Sequence, residues 1–563
     1  MTARDFHTII VGSGPGGSTV ADEMTRAGRS VVIFERGRNH LIDPAHPDDL
    51  MHVFSNDEIK YLERHFLGPD PWLEPRTFRL SEADGDRLHV GDVNNLPATV
   101  GGGGVHADGK LPRLREDDFR VLSELGPIDD ATVADWPLTY DDLEPHYATA
   151  ERLIGVAGLA GANPFEPWRS SPYPMPPGAP MYAALVTSKA AERLGYHPYP
   201  APTGANSVPY DGRPACNNCG FCAYFGCPIH AKGDPVAMLR RALRTGRAEL
   251  RADAFVSRVL FQGGRATGVE WIDRDGQTHQ ELSDDVVVAA GAMETPRLLL
   301  LSGLTNENIG RNVMFHMQTY VLGQVPFRLH GHIGRSVTHV HDDHVIVDDL
   351  ARKAAQDAGL PWIKGGLVEH VSPAHVIAEA KLYHWGSEHR RLMRDSPMRD
   401  RLLGFCMQGE DLPQASNRVD LDPSVRDIRG VPVARTTYKP HSHEIAASRH
   451  HGARLKSILQ ETGAEHIIVA TSPMTTDEAE SLALPETAML PISRHVAGTA
   501  RMGRDPKTSV CDEWGRLWDA PNVLIADSSL FPTISGYGPT LTLVALAIRN
   551  VHAFLGRQDE VKA

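Results

Sequence analysis

The sequence predicts an α/β fold that contains a parallel sheet, and three features near its start indicate this class. The run from Thr8 to Val11 is too short for a helix and rich in β-branched residues, which is typical of a buried parallel strand. A glycine-rich turn follows it, and then a helix of about three turns. Residues 30–34 form a second apolar strand, which ends at the acidic Glu35. These elements together make a strand, turn, helix and strand unit.

The turn of this unit has the glycine spacing of a dinucleotide-binding site. Gly12 allows a tight turn, Gly14 lets the backbone approach a pyrophosphate, and Gly17 lets the helix pack closely on the strand. The amides at the start of the helix favour an anion, and Ser13 lies among them in the same turn. Glu35 lies where a carboxylate accepts hydrogen bonds from ribose hydroxyls. An acid there disfavours a ribose 2′-phosphate, because like charges repel.

The composition indicates a globular chain with room for two domains. It has 563 residues, of which 41% are hydrophobic and 23% charged. The net charge of -14, without clustered Lys and Arg, argues against nucleic-acid binding. An uninterrupted apolar stretch of about 18 residues is absent from the sequence, so we expect no transmembrane segment. Because the first strand begins almost at the N-terminus, a signal peptide is not expected, and the predicted location is cytoplasmic.

Four of the six cysteines lie close together in the segment CNNCGFCAYFGCP. Its last gap is one residue longer than in the bacterial ferredoxin run, so thiolates with this spacing could hold an iron–sulfur cluster. A structural loop or a local disulfide explains the same clustering, whereas zinc sites usually split their ligands into two distant pairs. The structural explanation is favoured, and the cluster stays an alternative at Cys216, Cys219, Cys222 and Cys227.

Three further short strands, separated by tight turns, are predicted at residues 250–260, 266–272 and 286–290. The last of them runs into Gly291, and Pro296 then stands at an early helical position, which predicts a second turn facing the cofactor. Before these strands, residues 158–202 are rich in proline and glycine and are interrupted only by a helical pattern at 182–194. We expect this stretch to connect the domains along the surface.

Eight segments spread along the chain carry a family resemblance. They are GSGPGGS with Glu35, TVGGGGVHADGKLPRLREDDF (99–119), WPLTYDDLEPHYATAERLIGVAG (136–158), the cysteine segment ending in CPIHAK, AAGAMETPRLLLLSG, IGRNVMFH (309–316), HVAGTARMG (495–503) and LIADSSLFPTISGYGPTLTLVALAIR (524–549). With them the chain resembles the glucose-methanol-choline (GMC) flavoprotein oxidoreductases. The resemblance is strongest to the branch of gluconate, fructose and glucose dehydrogenase flavoprotein subunits and pyranose oxidase.

The resemblance implies a bound FAD in a Rossmann-like domain and a substrate domain with a large antiparallel sheet and helices. The FAD-binding domain is expected at 1–37, 93–130, 205–320 and 488–563, and the substrate domain with its connections at 38–92, 131–204 and 321–487. The implied reaction is oxidation of a CH–OH group of a sugar, polyol, glycoside or other alcohol by hydride transfer to flavin N5. Electrons then pass to oxygen or another acceptor. Alternatives are a flavin-containing lyase without net redox chemistry, and a dehydrogenase subunit that depends on a small electron-transfer partner.

The resemblance also assigns the catalytic base to His495, which opens HVAGTARMG. A neutral imidazole suits removal of a hydroxyl proton near physiological pH. The family pairs this base with an Asn or His at the position of Gly538, which has no side chain, and this departure keeps the lyase alternative open. Tyr537 is adjacent, but a side chain one place removed on an extended segment points to the opposite face.

The remaining expected contacts concern the cofactor. Gly101 and Gly102 begin a run of four glycines whose unrestricted backbone suits a close approach to the flavin ring. His106 matches a histidine that bonds covalently to the flavin in similar sequences, with a hydrogen-bonding neighbour as the alternative. Further cofactor contacts implied by the resemblance are Val256, Gly291, Asp527 and Thr540.

Residues 330–344 hold five histidines and two aspartates in a portion of the chain, 321–487, with few family motifs. His339, His341 and Asp343 are spaced by two and would line one face of a strand. Metal ligation also needs a convergence that spacing alone does not provide. We therefore expect substrate contact here rather than a metal site, and expect the portion 321–487 to determine specificity.

Overall fold

The computed structural model describes residues 6–47, 70–94, 96–220, 222, 226–331, 333–372, 385–396 and 400–557. The strands of this part are β1 (Thr8–Val11), β2 (Val31–Phe34), β3 (Arg76–Arg79), β4 (His89–Gly91), β5 (Tyr199–Pro200), β6 (Ala248–Arg251), β7 (Phe255–Gln262), β8 (Arg265–Ile272), β9 (Thr278–Leu282), β10 (Asp285–Val288), β11 (Met314–Phe315), β12 (Met317–Gln324), β13 (Val337–His341), β14 (Val368–Val371), β15 (Leu402–Gly409), β16 (Arg418–Arg426), β17 (Pro432–Thr437), β18 (Glu465–Ser472), β19 (Val496–Ala497), β20 (Arg516–Leu517) and β21 (Ala520–Ile525).

The α-helices of the same part are α1 (Pro15–Arg26), α2 (Gly102–His106), α3 (Val121–Leu125), α4 (Tyr140–Ile154), α5 (Tyr182–Arg193), α6 (Pro235–Arg244), α7 (Glu294–Leu301), α8 (Asp349–Asp357), α9 (Gly386–Asp395), α10 (Ser442–Gln460), α11 (Thr476–Ser481) and α12 (Thr540–Phe554). The helix predicted at 182–194 is α5. Among the described residues, no helix combines the length and the apolar character needed to cross a bilayer.

A six-stranded, mostly parallel sheet forms one half of the fold, in the order β20-β21-β10-β1-β2-β6. All its pairs are parallel except β20 with β21. Its central strands are buried apolar runs, as a sheet covered on both faces requires. Helix α1 packs against α6 and α12. The predicted α/β class with a Rossmann-like sheet is therefore confirmed.

The prediction of a single strand at 250–260 is wrong. The chain forms β6 beside β2 in the parallel sheet, turns at Asp253 (φ 53°), and continues as β7 in a separate antiparallel sheet with β8 and β9. The turn is held by the amide of Ala254, which donates to the carbonyl of Glu35 at 2.9 Å. Strand β10 then returns to the parallel sheet, as predicted.

A second six-stranded sheet, in the order β18-β12-β15-β14-β13-β5, is antiparallel throughout. Helices α5 and α10 pack against it, so the predicted large antiparallel sheet with helices is confirmed. Strand β12 (Met317–Gln324) crosses the expected domain boundary between residues 320 and 321. The division of the chain into two domains stays a prediction.

Candidate active site

A cavity of about 680 Å³ lies between the two large sheets. From the parallel sheet it receives the residues that follow the carboxyl ends of β1, β2, β10 and β21, which is where open α/β sheets bind ligands. From the antiparallel sheet it receives side chains of β12, β14 and β15. The predicted residues that line this cavity are Gly12, Gly14, Glu35, Gly102, His106, Val256, Gly291, His495, Asp527 and Thr540.

The glycine turn after β1 forms a cradle at one end of the cavity. Gly12 has φ +98°, and a Cβ on Gly17 would lie 2.0 Å from the carbonyl oxygen of Gly12, so helix and strand approach as closely as predicted. A Cβ on Gly14 would meet nothing within 4 Å. Helix α1 begins there without a side-chain cap, which leaves its first amides available to an anion. This cradle fits the pyrophosphate of a dinucleotide.

Ser13 and Gly101 lie behind the cavity wall and hold Glu35 in place. The amide and hydroxyl of Ser13 donate to Oε2 of Glu35 at 3.1 and 2.6 Å, and the amide of Gly37 donates to Oε1 at 2.9 Å. The amide of Gly101 donates to the Ser13 hydroxyl at 3.0 Å. Glu35 is thus fixed against the cavity, and one lone pair of Oε1 is left to accept a further hydrogen bond.

The run of four glycines forms the start of a short helix. Gly101, at φ +88°, caps the one-turn helix α2, and Gly102 to Gly104 line the cavity together with His106. A Cβ on Gly102 would lie 3.1 Å from Cα of Gly14, so the two glycine turns nearly touch. The backbone of this helix start therefore faces the cavity.

Asp527 joins the turns that follow β10 and β21. Its Oδ2 accepts from the amide of Gly291 at 2.9 Å and from the hydroxyl of Thr295 at 2.6 Å. Its Oδ1 accepts from the amide of Ser529 at 2.9 Å and from the Ser529 hydroxyl. Burial raises the pKa of this carboxyl group. The residue lines the cavity and also organises its wall.

His495 forms a chain of hydrogen bonds with His316, a residue for which no role is predicted from the sequence. The two Nδ1 atoms are 2.9 Å apart, and Nε2 of His316 is 2.9 Å from the carbonyl oxygen of Ser535. Burial lowers the pKa of His316 to about 4. Burial, with the neighbouring His316 and Lys110, holds the pKa of His495 well below its ordinary value. Both rings are therefore neutral at physiological pH.

The carbonyl of Ser535 fixes which nitrogens carry protons. A carbonyl oxygen only accepts, so Nε2 of His316 carries the hydrogen and its Nδ1 carries a lone pair. Nδ1 of His495 must then donate to that lone pair, which leaves Nε2 of His495 unprotonated. The segment IGRNVMFH contains His316, but only the folded chain shows this pairing.

Gly538 lies beside that Nε2 atom. A Cβ at Gly538 would be 3.7 Å from Nε2 of His495 and 3.9 Å from the carbonyl oxygen of Lys110, both ordinary contacts. Without a side chain, residue 538 offers the base no hydrogen-bonding group. The hydroxyl of Tyr537 instead donates to Asp342 at 3.0 Å, on the other side of the segment.

Polar side chains that the sequence did not single out line the antiparallel-sheet side of the cavity. Nζ of Lys110 is 2.5 Å from Oε1 of Glu369 and 3.6 Å from Oδ1 of Asp108. The amide nitrogen of Gln408 donates to Glu369 at 3.1 Å, and that of Gln318 donates to Gln408 at 3.1 Å. This row of donors and acceptors suits a substrate with several hydroxyl groups.

The expectation that His339, His341 and Asp343 contact the substrate is wrong, because none of the three lines the cavity. The cavity is lined from this segment by Ser336 and Val337. His341 is buried in the sheet interior, with Nδ1 2.9 Å from Nε2 of His370. Period-two spacing along β13 predicts which residues share a face of the strand, but not whether that face points towards the cavity or away from it.

In the described part of the chain, no disulfide joins the four clustered cysteines. Burial raises the pKa of the Cys222 thiol to about 12. Across the described ranges, which leave out 221 and 223–225, no group of three or more His, Cys, Asp or Glu residues has the arrangement of a metal site.

Two family models described as GMC oxidoreductase match residues 180–318 and 413–547. A 2-methyl-1,2-propanediol dehydrogenase of Mycolicibacterium austroafricanum is 30% identical over 571 residues, which cover 97% of this chain and 95% of that protein. The chain belongs to the GMC oxidoreductase family. It is thus an FAD-dependent oxidoreductase that acts on CH–OH groups.

Two further relatives widen this comparison. A gluconate 2-dehydrogenase flavoprotein of Pantoea cypripedii is 28% identical to this GMC oxidoreductase over 98% of the chain and 93% of the relative. The crystal structure of pyridoxine 4-oxidase from Mesorbium loti superposes with a TM-score of 0.62 at 16% identity, covering 98% of this chain and 99% of that one. The structural likeness shows a shared fold, and the names include both dehydrogenases and an oxidase.

Proposed function

We propose that this GMC oxidoreductase oxidises a hydroxyl group of a small polyhydroxylated molecule, with Nε2 of His495 as the base that takes the hydroxyl proton. The observation that carries the proposal is the chain from Ser535 through His316 to His495, which leaves an unprotonated nitrogen on a cavity-lining residue. A base must be neutral to act, and the lowered pKa of His495 keeps it so.

The residues that would hold FAD follow from the shape of the cavity. The cradle of Gly14 and the start of α1 would bind the pyrophosphate, and Glu35 the ribose hydroxyls. Gly102 to Gly104 would lie against the flavin ring. When bound, FAD supplies the two-electron acceptor that takes the carbinol hydrogen as hydride.

His106 is the residue that we propose for a covalent link to the flavin. It is 3% exposed and lines the cavity two residues after Gly104, at the end of α2. Precipitation of the holoenzyme with acid should leave the yellow colour in the protein pellet, and His106→Ala should release it. Flavin recovered wholly in the supernatant from the unchanged protein would contradict the link.

The substrate class is inferred from Lys110, Glu369, Gln408 and Gln318, whose linked polar groups offer several hydrogen bonds to hydroxyls. The relatives' names support small alcohols and sugar acids. Glu369 and Gln408 lie within the portion 321–487 that we expect to determine specificity, and Gln318 lies just before it.

Anaerobic mixing of the holoenzyme with candidate alcohols tests the proposal. A panel of 2-methyl-1,2-propanediol, gluconate, glucose and pyridoxine should contain a compound that bleaches the visible flavin band. His495→Ala should abolish bleaching while FAD stays bound. Product formed with an unchanged spectrum would indicate a lyase, and turnover retained by His495→Ala would refute the base.

The electron acceptor and partner are separate proposals. Two relatives are named as dehydrogenases, which favours an electron acceptor other than oxygen. We propose that the electrons reach this acceptor through a small partner subunit. Reoxidation of the bleached enzyme by air and by a quinone, compared in stopped-flow mixing, distinguishes an oxidase from a dehydrogenase. Iron and sulfide analysis of anaerobically purified protein tests whether Cys216, Cys219, Cys222 and Cys227 hold a cluster.

A further inference from the structure

The cavity wall that the antiparallel sheet forms changes from polar to apolar along the direction of its strands. Along β12 the residues alternate between buried and half-buried, and the half-buried Gln318, Tyr320 and Leu322 line the cavity. The same period of two brings Glu369 and Val371 of β14 to this wall. Because cross-strand partners lie side by side, the wall consists of rows that run across the strands.

The strand register defines three such rows, each made of residues that pair across neighbouring strands. They are the polar row (Gln318 and Gln408), the middle row (Tyr320, Cys406 and Glu369) and the apolar row (Leu322, Val371 and Val337, with Gly404 between the first two). Every side chain in the three rows lines the cavity. The hydrogen-bonding groups of this wall are therefore sorted towards one end of the strands.

The polar row is at the end of the wall where the proposed base lies. Gln318 is two residues after His316, whose ring hydrogen-bonds to His495. The hydroxyl of Tyr320 donates to Oε1 of Gln318 at 2.9 Å, so the polar tip of this ring also points to that end. Leu322, further along β12, lies about 13 Å from Gln318 at the usual rise of a strand. The base and the apolar row are thus at opposite ends of the wall.

The side chains of the apolar row offer a substrate no hydrogen bonds. A Cβ on Gly404 would be 3.0 Å from Cδ2 of Leu322, so the leucine lies over β15, the strand between it and Val371. The adjacent Ser372 donates its hydroxyl to the carbonyl of Leu402 at 3.0 Å. A substrate hydroxyl on this row would lose its hydrogen bonds to water without a replacement, which costs free energy. An alkyl or aryl group there is stabilised because it leaves water.

We propose that the substrate is amphipathic, with its hydroxyl-bearing end on the polar row and an alkyl or aryl substituent on the apolar row. The inference rests on the proposed function and narrows its substrate class. Alkyl or aryl glycosides and 1,2-diols with an apolar chain match the wall, whereas a fully hydroxylated chain such as gluconate matches it less well. Tyr320 suits the junction between the two parts, because its ring is apolar and its hydroxyl is bound at the polar end.

Matched pairs of alcohols that differ only in an apolar chain test the inference on the unchanged holoenzyme. One pair is 1,2-propanediol with 1,2-octanediol, and the other is methyl with hexyl β-D-glucopyranoside. Each methylene group that leaves water tightens binding about fourfold. In at least one pair, the longer compound should therefore half-saturate anaerobic flavin reduction at a concentration lower by about tenfold or more.

Affinity without turnover is a separate readout. Calorimetric titration of the His495→Ala holoenzyme, which should bind the alcohols without oxidising them, should give the same preference for the longer compound. If no longer compound binds or reduces the flavin at a lower concentration than its shorter partner, the proposal is overturned.

Substitutions in the apolar row test where the chain binds. The double variant Leu322→Gln with Val371→Thr makes the row polar at similar volume, and should lower the preference for the longer compound to less than about threefold. Reduction by the shorter compound should stay within about threefold of the wild type. The matched control, Leu322→Met with Val371→Ile, keeps the row apolar and should keep the preference. A preference that survives in the polar variant, or is lost equally in both, would refute the proposal.

The outcomes also separate this inference from other roles of the row and from the proposed function. If the row packs on the flavin instead, the polar variant should slow reduction by both members of a pair equally and shift the visible flavin band, which refutes the proposal. If that variant fails to fold, the pairs on the wild type decide. Reduction by the shorter compounds with no gain from a longer chain refutes the amphipathic substrate alone. Full activity of His495→Ala, or no reduction by any alcohol, refutes the proposed function.

Discussion

Replacing His316 by phenylalanine removes the acceptor that fixes the tautomer of His495. The bond lost is the 2.9 Å contact between the two Nδ1 atoms, inside a site where both rings are buried. A buried hydrogen bond whose partner is left unpaired is worth about 1–3 kcal/mol. If that energy stabilises the tautomer in which Nε2 of His495 is unprotonated, its loss should lower the rate of flavin reduction by a factor of about 5–150. Phenylalanine keeps an aromatic ring at the position of His316, whose ring centroid lies 4.9 Å from that of His495 in an edge-on arrangement.

The assay is anaerobic stopped-flow reduction at pH 8, with the panel alcohol carrying deuterium at the carbinol carbon. A slower step that keeps its deuterium isotope effect would place the loss in the chemistry. His316→Gln is the matched control, since its amide oxygen can still accept from Nδ1 of His495, and it should stay within about tenfold of the wild type. Reduction by His316→Phe at the wild-type rate, with FAD bound, would refute the tautomer argument.

Two further predictions concern stability and cofactor binding. Gly14→Ala should weaken FAD binding but leave the thermal midpoint of the apoprotein unchanged, because the added Cβ meets nothing within 4 Å. Gly16→Ala should lower that midpoint, because its Cβ would lie 1.6 Å from the carbonyl oxygen of Ala526. Equal midpoints for the two variants would contradict this prediction. Burial lowers the pKa of His341 to about 4 from 6.5, so the unfolded chain takes up a proton below pH 6.5 before the folded chain does, and about 2 kcal/mol of stability is lost by pH 5. The fall in thermal midpoint from pH 7.5 to pH 5 should be smaller in His341→Phe than in the wild type, and an identical fall would exclude His341 as a cause.

The first βα unit could be predicted from sequence because its determinants are local. Gly12, Gly14 and Gly17 lie within six residues, and the closest atom to a Cβ on Gly17 would be the carbonyl oxygen of Gly12 in the same turn. Glu35 follows the next strand at the edge of the same sheet. The fold of such a unit is therefore determined largely by about thirty consecutive residues, the length of a βαβ motif.

The partners of His495 could not be predicted in this way. His316 is 179 residues away in the chain and bonds to His495 only in the folded protein. Lys110 is further away still and shares only the lining of the cavity with His495. The break at Asp253 was not predicted for a related reason, since an apolar run does not show which of two sheets each of its parts joins. His341 shows the same limit, because period-two spacing fixes a face but not its neighbour.

The carboxylate of Asp527 closes the floor of the flavin cavity by binding the turn at Gly291, and β21 pairs with β10 in the middle of the sheet. Helix α12 adds Thr540 to the same wall. The cavity is therefore complete only when residues 520–540 have folded onto β10 and the turn at Gly291. A chain cut before residue 520 would lack Asp527 and Thr540, and we expect it not to retain FAD.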